Sequence, residues 1–150
     1  MNADLAATFR AGLVALAREQ VDEAEPLLRI VVAGAPDDAD ALAYLATAWV
    51  VQGRVEAARE VMGQALGLGP DRFAPNLKGG ELDLRLGDLD AAEVHFKRAM
   101  QVAVHGSREA AAARTLLGET RRRASRSIVR KASFPRWRRP AALHGRSTAD

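Results

Sequence analysis

The side chains that most often do chemistry are sparse in this chain and badly placed for it. Cysteine is absent, which removes disulfides, thiolate nucleophiles and every cysteine-ligated zinc or iron–sulfur site. The histidines are His95, His105 and His144, and no two stand four apart, the spacing that sets two imidazoles on one helix face. Asp37, Asp38 and Asp40 offer carboxylate oxygens, but the alternating ligand spacing and closing glutamate of a calcium loop are missing. Gly63, Gly67 and Gly69 run into Pro70-Asp71 with no Lys-Ser/Thr, so no phosphate loop forms. Nothing here pairs a nucleophile, a base and an orienting acid. These residues imply a protein that is not an enzyme and uses no metal or cofactor.

What the chain does carry is charge, unevenly. Its 150 residues hold 22 Lys/Arg against 19 Asp/Glu. Residues 1–120 contain 12 bases and 18 acids, a net −6, while residues 121–150 contain 10 bases and one acid, a net +9. An acidic body thus carries a basic tail: Arg121, Arg122, Arg123, Arg126, Arg130, Lys131, Arg136, Arg138 and Arg139, with Phe134 and Trp137 among them. Such a tail can neutralise phosphates while its aromatics stack on bases. It also suits an anionic membrane surface, contact with its own acidic body, or simple solvation. Ser125 and Ser133 each follow a basic pair, and phosphate there would reduce the positive charge.

The elements that must hold these groups are helices. Apolar residues make up 48% and aromatics 5%; alanine supplies about one residue in five, a composition that favours helix and close helix–helix approach. Residues 5–38, 39–72 and 73–106 align without gaps. Ala24, Ala58 and Ala92 recur in phase, as do Leu28, Met62 and Phe96, and Val31, Ala65 and Ala99. Gly12, Ala46 and Gly80 form a column of small residues. Gly53 and Gly87 form a turn column from which Glu19 departs. Pro36 and Pro70 punctuate the joins. A small column lets paired helices approach, and a large column fills the space between neighbouring pairs. Asp22-x-x-Glu25 reads as a capping box opening a helix, with Pro26 at the edge of its first turn.

These columns resemble the tetratricopeptide repeat (TPR), a 34-residue helix–turn–helix unit. The second copy matches best, through Leu42, Leu45, Ala46, Trp49, Gly53, Ala58, Met62, Ala65 and Pro70. The third keeps Gly80, Gly87, Ala92, Phe96 and Ala99 but departs at Asn76, Gly79 and Asp83. The resemblance implies an all-α solenoid of three helical hairpins. A capping helix is expected over residues 107–123, started by Ser107 and carrying Ala110, Ala113, Leu116 and Leu117 as its apolar stripe. Arg121, Arg122 and Arg123 then suit the negative end of its dipole. Residues 1–124 form the repeat domain on this reading, and residues 125–150 a flexible basic tail.

In TPR proteins the first helix of each hairpin lines the inner curve. Carried over residue by residue, the resemblance places Phe9, Leu13 and Leu16 there from the first repeat, and Tyr44, Thr47, Val50 and Val51 from the second. The third adds Leu77, Lys78, Glu81, Leu84 and Arg85. The implied function is a non-catalytic scaffold, adaptor or chaperone that holds a protein or peptide segment in an apolar groove. Of the positions with which one TPR subgroup grips chaperone C-terminal carboxylates, only Lys78 keeps the chemistry, which disfavours that ligand. The alternative is an adaptor tethered to nucleic acid or an anionic membrane through the tail. No stretch approaches 18 uninterrupted apolar residues. The apolar run 11–17 lacks the basic start of a signal peptide, so the expected compartment is the cytoplasm.

Overall fold

The computed structural model describes residues 1–132. Seven α-helices follow one another: α1 (Ala3–Ala17), α2 (Val21–Gly34), α3 (Ala39–Val51), α4 (Val55–Leu68), α5 (Phe73–Leu86), α6 (Leu89–Val102) and α7 (Arg108–Ala132). Successive helices pair as α1/α2, α3/α4 and α5/α6, and α7 packs on α6. Helices α1, α3 and α5 also meet in turn, so the first helices of the hairpins form one continuous face that α7 closes at its end.

The repeat columns are the core. Ala24, Ala58 and Ala92 are fully buried, with Leu28, Met62 and Phe96 beside them. The small column explains how. A β-carbon on Gly12 would stand 3.1 Å from Leu28 Cγ, and one on Gly80 would stand 2.6 Å from Phe96 Cε1. Each large residue of a second helix therefore sits over the small residue of the first. Burying a side chain of this size contributes about 1.5–3 kcal/mol, and repetition along the chain builds three contiguous clusters.

Turns follow the same period. Gly53 and Gly87 adopt φ of 79° and 82°, a left-handed conformation that glycine reaches without steric cost. At the equivalent place Glu19 is held at φ 60°. Asp38 caps α3 through the Ala41 amide, Asp88 caps α6 through Ala91, and Ser107 caps α7 through Ala110.

Two expectations about α2 are corrected. Its N-cap is Gln20, without a side-chain cap, so Asp22 lies inside the first turn beside Glu23 and does not open a capping box. There it complements the helix dipole. Pro26 is likewise inside the helix rather than at the edge of its first turn.

The larger correction concerns α7, which continues to Ala132 instead of ending near Arg123. Its packed stripe of Ala110, Ala113, Leu117 and Thr120 stops early, but no proline or glycine breaks the chain between Glu119 and Pro135. The backbone stays helical after its contacts end. Residues 125–132, expected in a flexible tail, are helical. Arg136, Trp137, Arg138 and Arg139 lie outside the described residues, as does the rest of the expected flexible tail beyond Ala132.

Candidate partner-binding face

Along α3 and α5 the inner face opens into a cleft of about 330 Å³. Thr47, Val50 and Val51 line it from α3, Lys78, Glu81, Leu84 and Arg85 from α5, with Met62 and Leu82 at its base. Val51 is 49% exposed, an apolar side chain that the core does not claim. Glu119 and Arg123 of α7 complete the wall, paired with each other at 2.5 Å.

A second cleft, about 520 Å³, lies between α1, α3 and α5. Phe9 and Leu13 meet Tyr44 there, with Asp40, Arg72, Phe73, Ala74 and Glu109 around them. The Phe9 and Tyr44 rings sit edge to face at 5.8 Å between centroids, a favoured aromatic geometry. Asp40 accepts two hydrogen bonds from Arg72, at 2.9 and 2.5 Å, which holds the guanidinium still more firmly protonated.

Between the two clefts stand Tyr44 and Lys78. The Lys78 ammonium lies 5.5 Å from the Tyr44 ring centre and 2.8 Å from Glu81. Burial, then the carboxylates of Asp40, Glu81 and Glu109, push the Tyr44 phenol above its ordinary value of 10.0. The phenol is thus an un-ionised hydrogen-bonding group at neutral pH.

Ten of the twelve residues assigned to the groove line one cleft or the other. Leu16 and Leu77 do not. Leu16 packs against the cluster of Ala24, Leu28 and Leu45. Leu77 and Leu84 are only 9% and 8% exposed, because they share a cluster with Ala113 and Leu117 of α7. The terminal helix folds over part of the surface that the family pattern leaves open. That overlap also brings Glu109, Glu119 and Arg123 to the clefts, three residues that the family pattern does not assign to the groove. Their one signal in the sequence is the amphipathic stripe of α7, which says that the helix docks but not over what.

Helix α7 is tied down by charge as well as by packing. Arg121 donates to Glu93 at 3.0 Å, and Lys97 lies 2.9 Å from the same carboxylate. Hydrogen bonds from Lys97 and Arg121 hold the Glu93 carboxyl below the ordinary range. The three departures of the third repeat have partners too. Asn76 donates to the carbonyls of Pro70 and Arg72, both at 2.8 Å. Asp83 lies 2.7 Å from His95 Nδ1. Gly79 lies beside that ring, which a β-carbon there would meet at an ordinary contact distance of 3.5 Å. His95 is therefore engaged in a helix–helix contact. Among the described residues no group of three or more His, Asp or Glu is placed to hold a metal ion, and no helix is long and apolar enough to cross a membrane.

Comparison with known proteins agrees with the architecture. Residues 9–73 match the family model of the tetratricopeptide repeat. No curated protein matches the sequence. Among solved structures the chain is similar to the TPR domain of Sgt2 from Aspergillus fumigatus, with 20% identity over 95% of this chain and 93% of that one, at a TM-score of 0.74. It is similar to the first TPR of Spaghetti (RPAP3), solved with an HSP90 peptide, with 15% identity over 81% and 95% of the two chains and a TM-score of 0.67. It is also similar to a double mutant of MamA RS-1, with 33% identity over 65% of this chain and 55% of that one, at a TM-score of 0.54.

Proposed function

We propose that the chain, whose residues 9–73 match the tetratricopeptide-repeat family, is a protein of that family that acts without catalysis, as a scaffold, adaptor or chaperone holding a partner's polypeptide segment against its inner face. One observation carries this reading. The cleft over α3 and α5 has an apolar lining of Val50, Val51, Leu82 and Leu84 beside the charges of Lys78, Glu81 and Arg85. A preformed apolar surface with a few charges at its edge suits a segment that buries one or two apolar anchors and orients by polar contacts.

The solved relative with an HSP90 peptide supports a peptide-sized ligand in kind. It does not supply the chemistry, since Phe9, Leu13, Tyr44 and Ala74 stand at four of the five carboxylate-gripping positions. The segment this surface favours is apolar, and the expected compartment is the cytoplasm.

Selection of random-sequence peptides on the full chain tests the proposal. Selected peptides should share apolar anchors and bind almost independently of salt. They should lose about tenfold or more in affinity for Val51→Asp, the loss of a buried anchor contact. Recovery of no peptide, or equal binding to Val51→Asp, would sink it.

A further inference from the structure

Helix α7 outruns the body it caps. Between Arg121 and Arg130 only Ala124 and Ser127 have partial cover, yet the helix continues to Ala132. On this outer stretch Arg122, Arg126 and Arg130 are all exposed and follow one another at four-residue intervals, which sets them in one row at about 6 Å steps along the axis. Arg121 and Arg123 on either side of the row are engaged by Glu93 and Glu119. The three arginines of the row have no acidic partner among the described residues.

Neither ordinary explanation covers this row. A helix ending near Arg123 would use its arginines to offset the dipole. The helix runs on at least to Ala132 instead, so Arg122 and Arg126 are more than a turn from the negative end. Pairing four residues apart is absent as well, since the row sets like charges at that spacing, which destabilises an isolated helix. A row of like charges held at regular spacing on a projecting helix is relieved by a polyanion.

We propose that the outer half of α7 binds the phosphate backbone of a nucleic acid through Arg122, Arg126 and Arg130. The guanidinium fork matches phosphate in a bidentate way, and all three positions are arginine. No acid occurs between Arg121 and Arg139, so no internal charge competes. A membrane surface is the poorer fit, because insertion needs a continuous apolar arc. At about 100° per residue Arg121, Ala124 and Ile128 stand opposite the row, a charge, a small residue and a single large one. The contact is to backbone and carries no sequence preference of its own.

The test measures binding of the full-length protein to a labelled mixed-sequence DNA duplex and to the matching single strand, across a salt series. Arg122→Gln, Arg126→Gln and Arg130→Gln are combined in one variant. A control combines Arg10→Gln, Arg18→Gln and Arg59→Gln, three exposed arginines of the body with the same change in net charge. Circular dichroism establishes that both variants keep their helix content. Expected is salt-sensitive binding that the row variant weakens at least tenfold at low salt, with the salt slope flattened by about 2–3, while the control stays near wild type. Absence of binding to either nucleic acid overturns the proposal. So does equal weakening by the control, which would make the effect one of net charge. Tighter binding to vesicles of anionic phospholipid than to either nucleic acid overturns it too, and assigns the row to a membrane.

Discussion

A β-carbon added to Gly80 would stand 2.6 Å from Cε1 and 2.8 Å from Cδ1 of Phe96. The ring it would strike is fully buried and has no flexible end to yield. Gly12 opposes Leu28 in the same way, but at 3.1 and 3.2 Å, and against a branched aliphatic chain. Alanine in a helix interior gains about 1 kcal/mol over glycine in intrinsic propensity, whereas overpacking a core costs about 1–3 kcal/mol. A 2.6 Å approach to a rigid ring belongs at the upper end of that cost, so Gly80→Ala should destabilise by about 1–2 kcal/mol net, and Gly12→Ala should be close to neutral. Urea unfolding of both variants checks the order; a Gly80→Ala protein as stable as wild type would show that the third hairpin is looser than its geometry implies.

Glu19 occupies the turn position that Gly53 and Gly87 fill in the other two hairpins, and is held at φ 60°. A side chain with a β-carbon pays about 1–2 kcal/mol in this region. Glycine avoids that cost but loses more freedom on folding. Glu19→Gly should raise stability by about 0.5–1 kcal/mol, read as a higher urea midpoint with an unchanged slope. A lower midpoint would mean that Glu19 makes a compensating contact.

Much of this architecture is legible in the residues, because a solenoid repeats its packing instructions. Gly12, Ala46 and Gly80 lie under Leu28, Met62 and Phe96, and their common period of 34 marks the pairing within the amino-acid sequence itself. What occurs only once carries no such mark. Asp83 and His95 read as a departure from the family pattern and as an isolated histidine, since only the register of α5 against α6 joins them. The length of α7 is hidden for a different reason: its apolar stripe ends near Thr120 while its helix-compatible composition does not. Leu77 and Leu84 fall into the open groove on the family pattern, which contains no residue that covers them.

The Asp83–His95 contact joins α5 to α6 at a half-buried site. A hydrogen bond of this kind contributes about 0.5–1.5 kcal/mol net, and removing one partner strands the other away from water. Asp83→Ala and His95→Ala should each destabilise by about 1 kcal/mol. Combined, they should cost less than the sum, because the second change removes an already stranded group. Additive costs in the double-mutant cycle would show that the two side chains act independently.

Tyr44 is the single tyrosine of the chain, so its ultraviolet tyrosinate absorbance reports the inner face alone. Burial first, then Asp40, Glu81 and Glu109, raise its pKa above 10.0. A raised folded-state value means that the fold favours the neutral phenol. The resulting stability is fully present below the ordinary value of 10.0 and is lost as pH rises through the folded value. Titration should run above that of a free tyrosine, and Glu109→Gln should bring it partway down by removing one like charge. A titration at the ordinary value in wild type would mean that the phenol is open to water and that the second cleft stands wider in solution.

Val51 and Leu84 line the same cleft, yet they should answer differently to the same substitution. Val51 is 49% exposed at the rim, while Leu84 is 8% exposed and shared with Phe96 and Leu117. Val51→Asp places a carboxylate where water reaches it, so stability should change by no more than about 0.5 kcal/mol. Leu84→Asp places one in a cluster with no partner, at a cost of several kcal/mol, roughly 4 or more, or a protein that fails to fold. Only the first variant can therefore report on binding, and it should lose peptide affinity with its unfolding curve intact. If both variants fold and bind alike, the cleft is neither the partner's seat nor part of the core, and α7 does not cover α5 in solution.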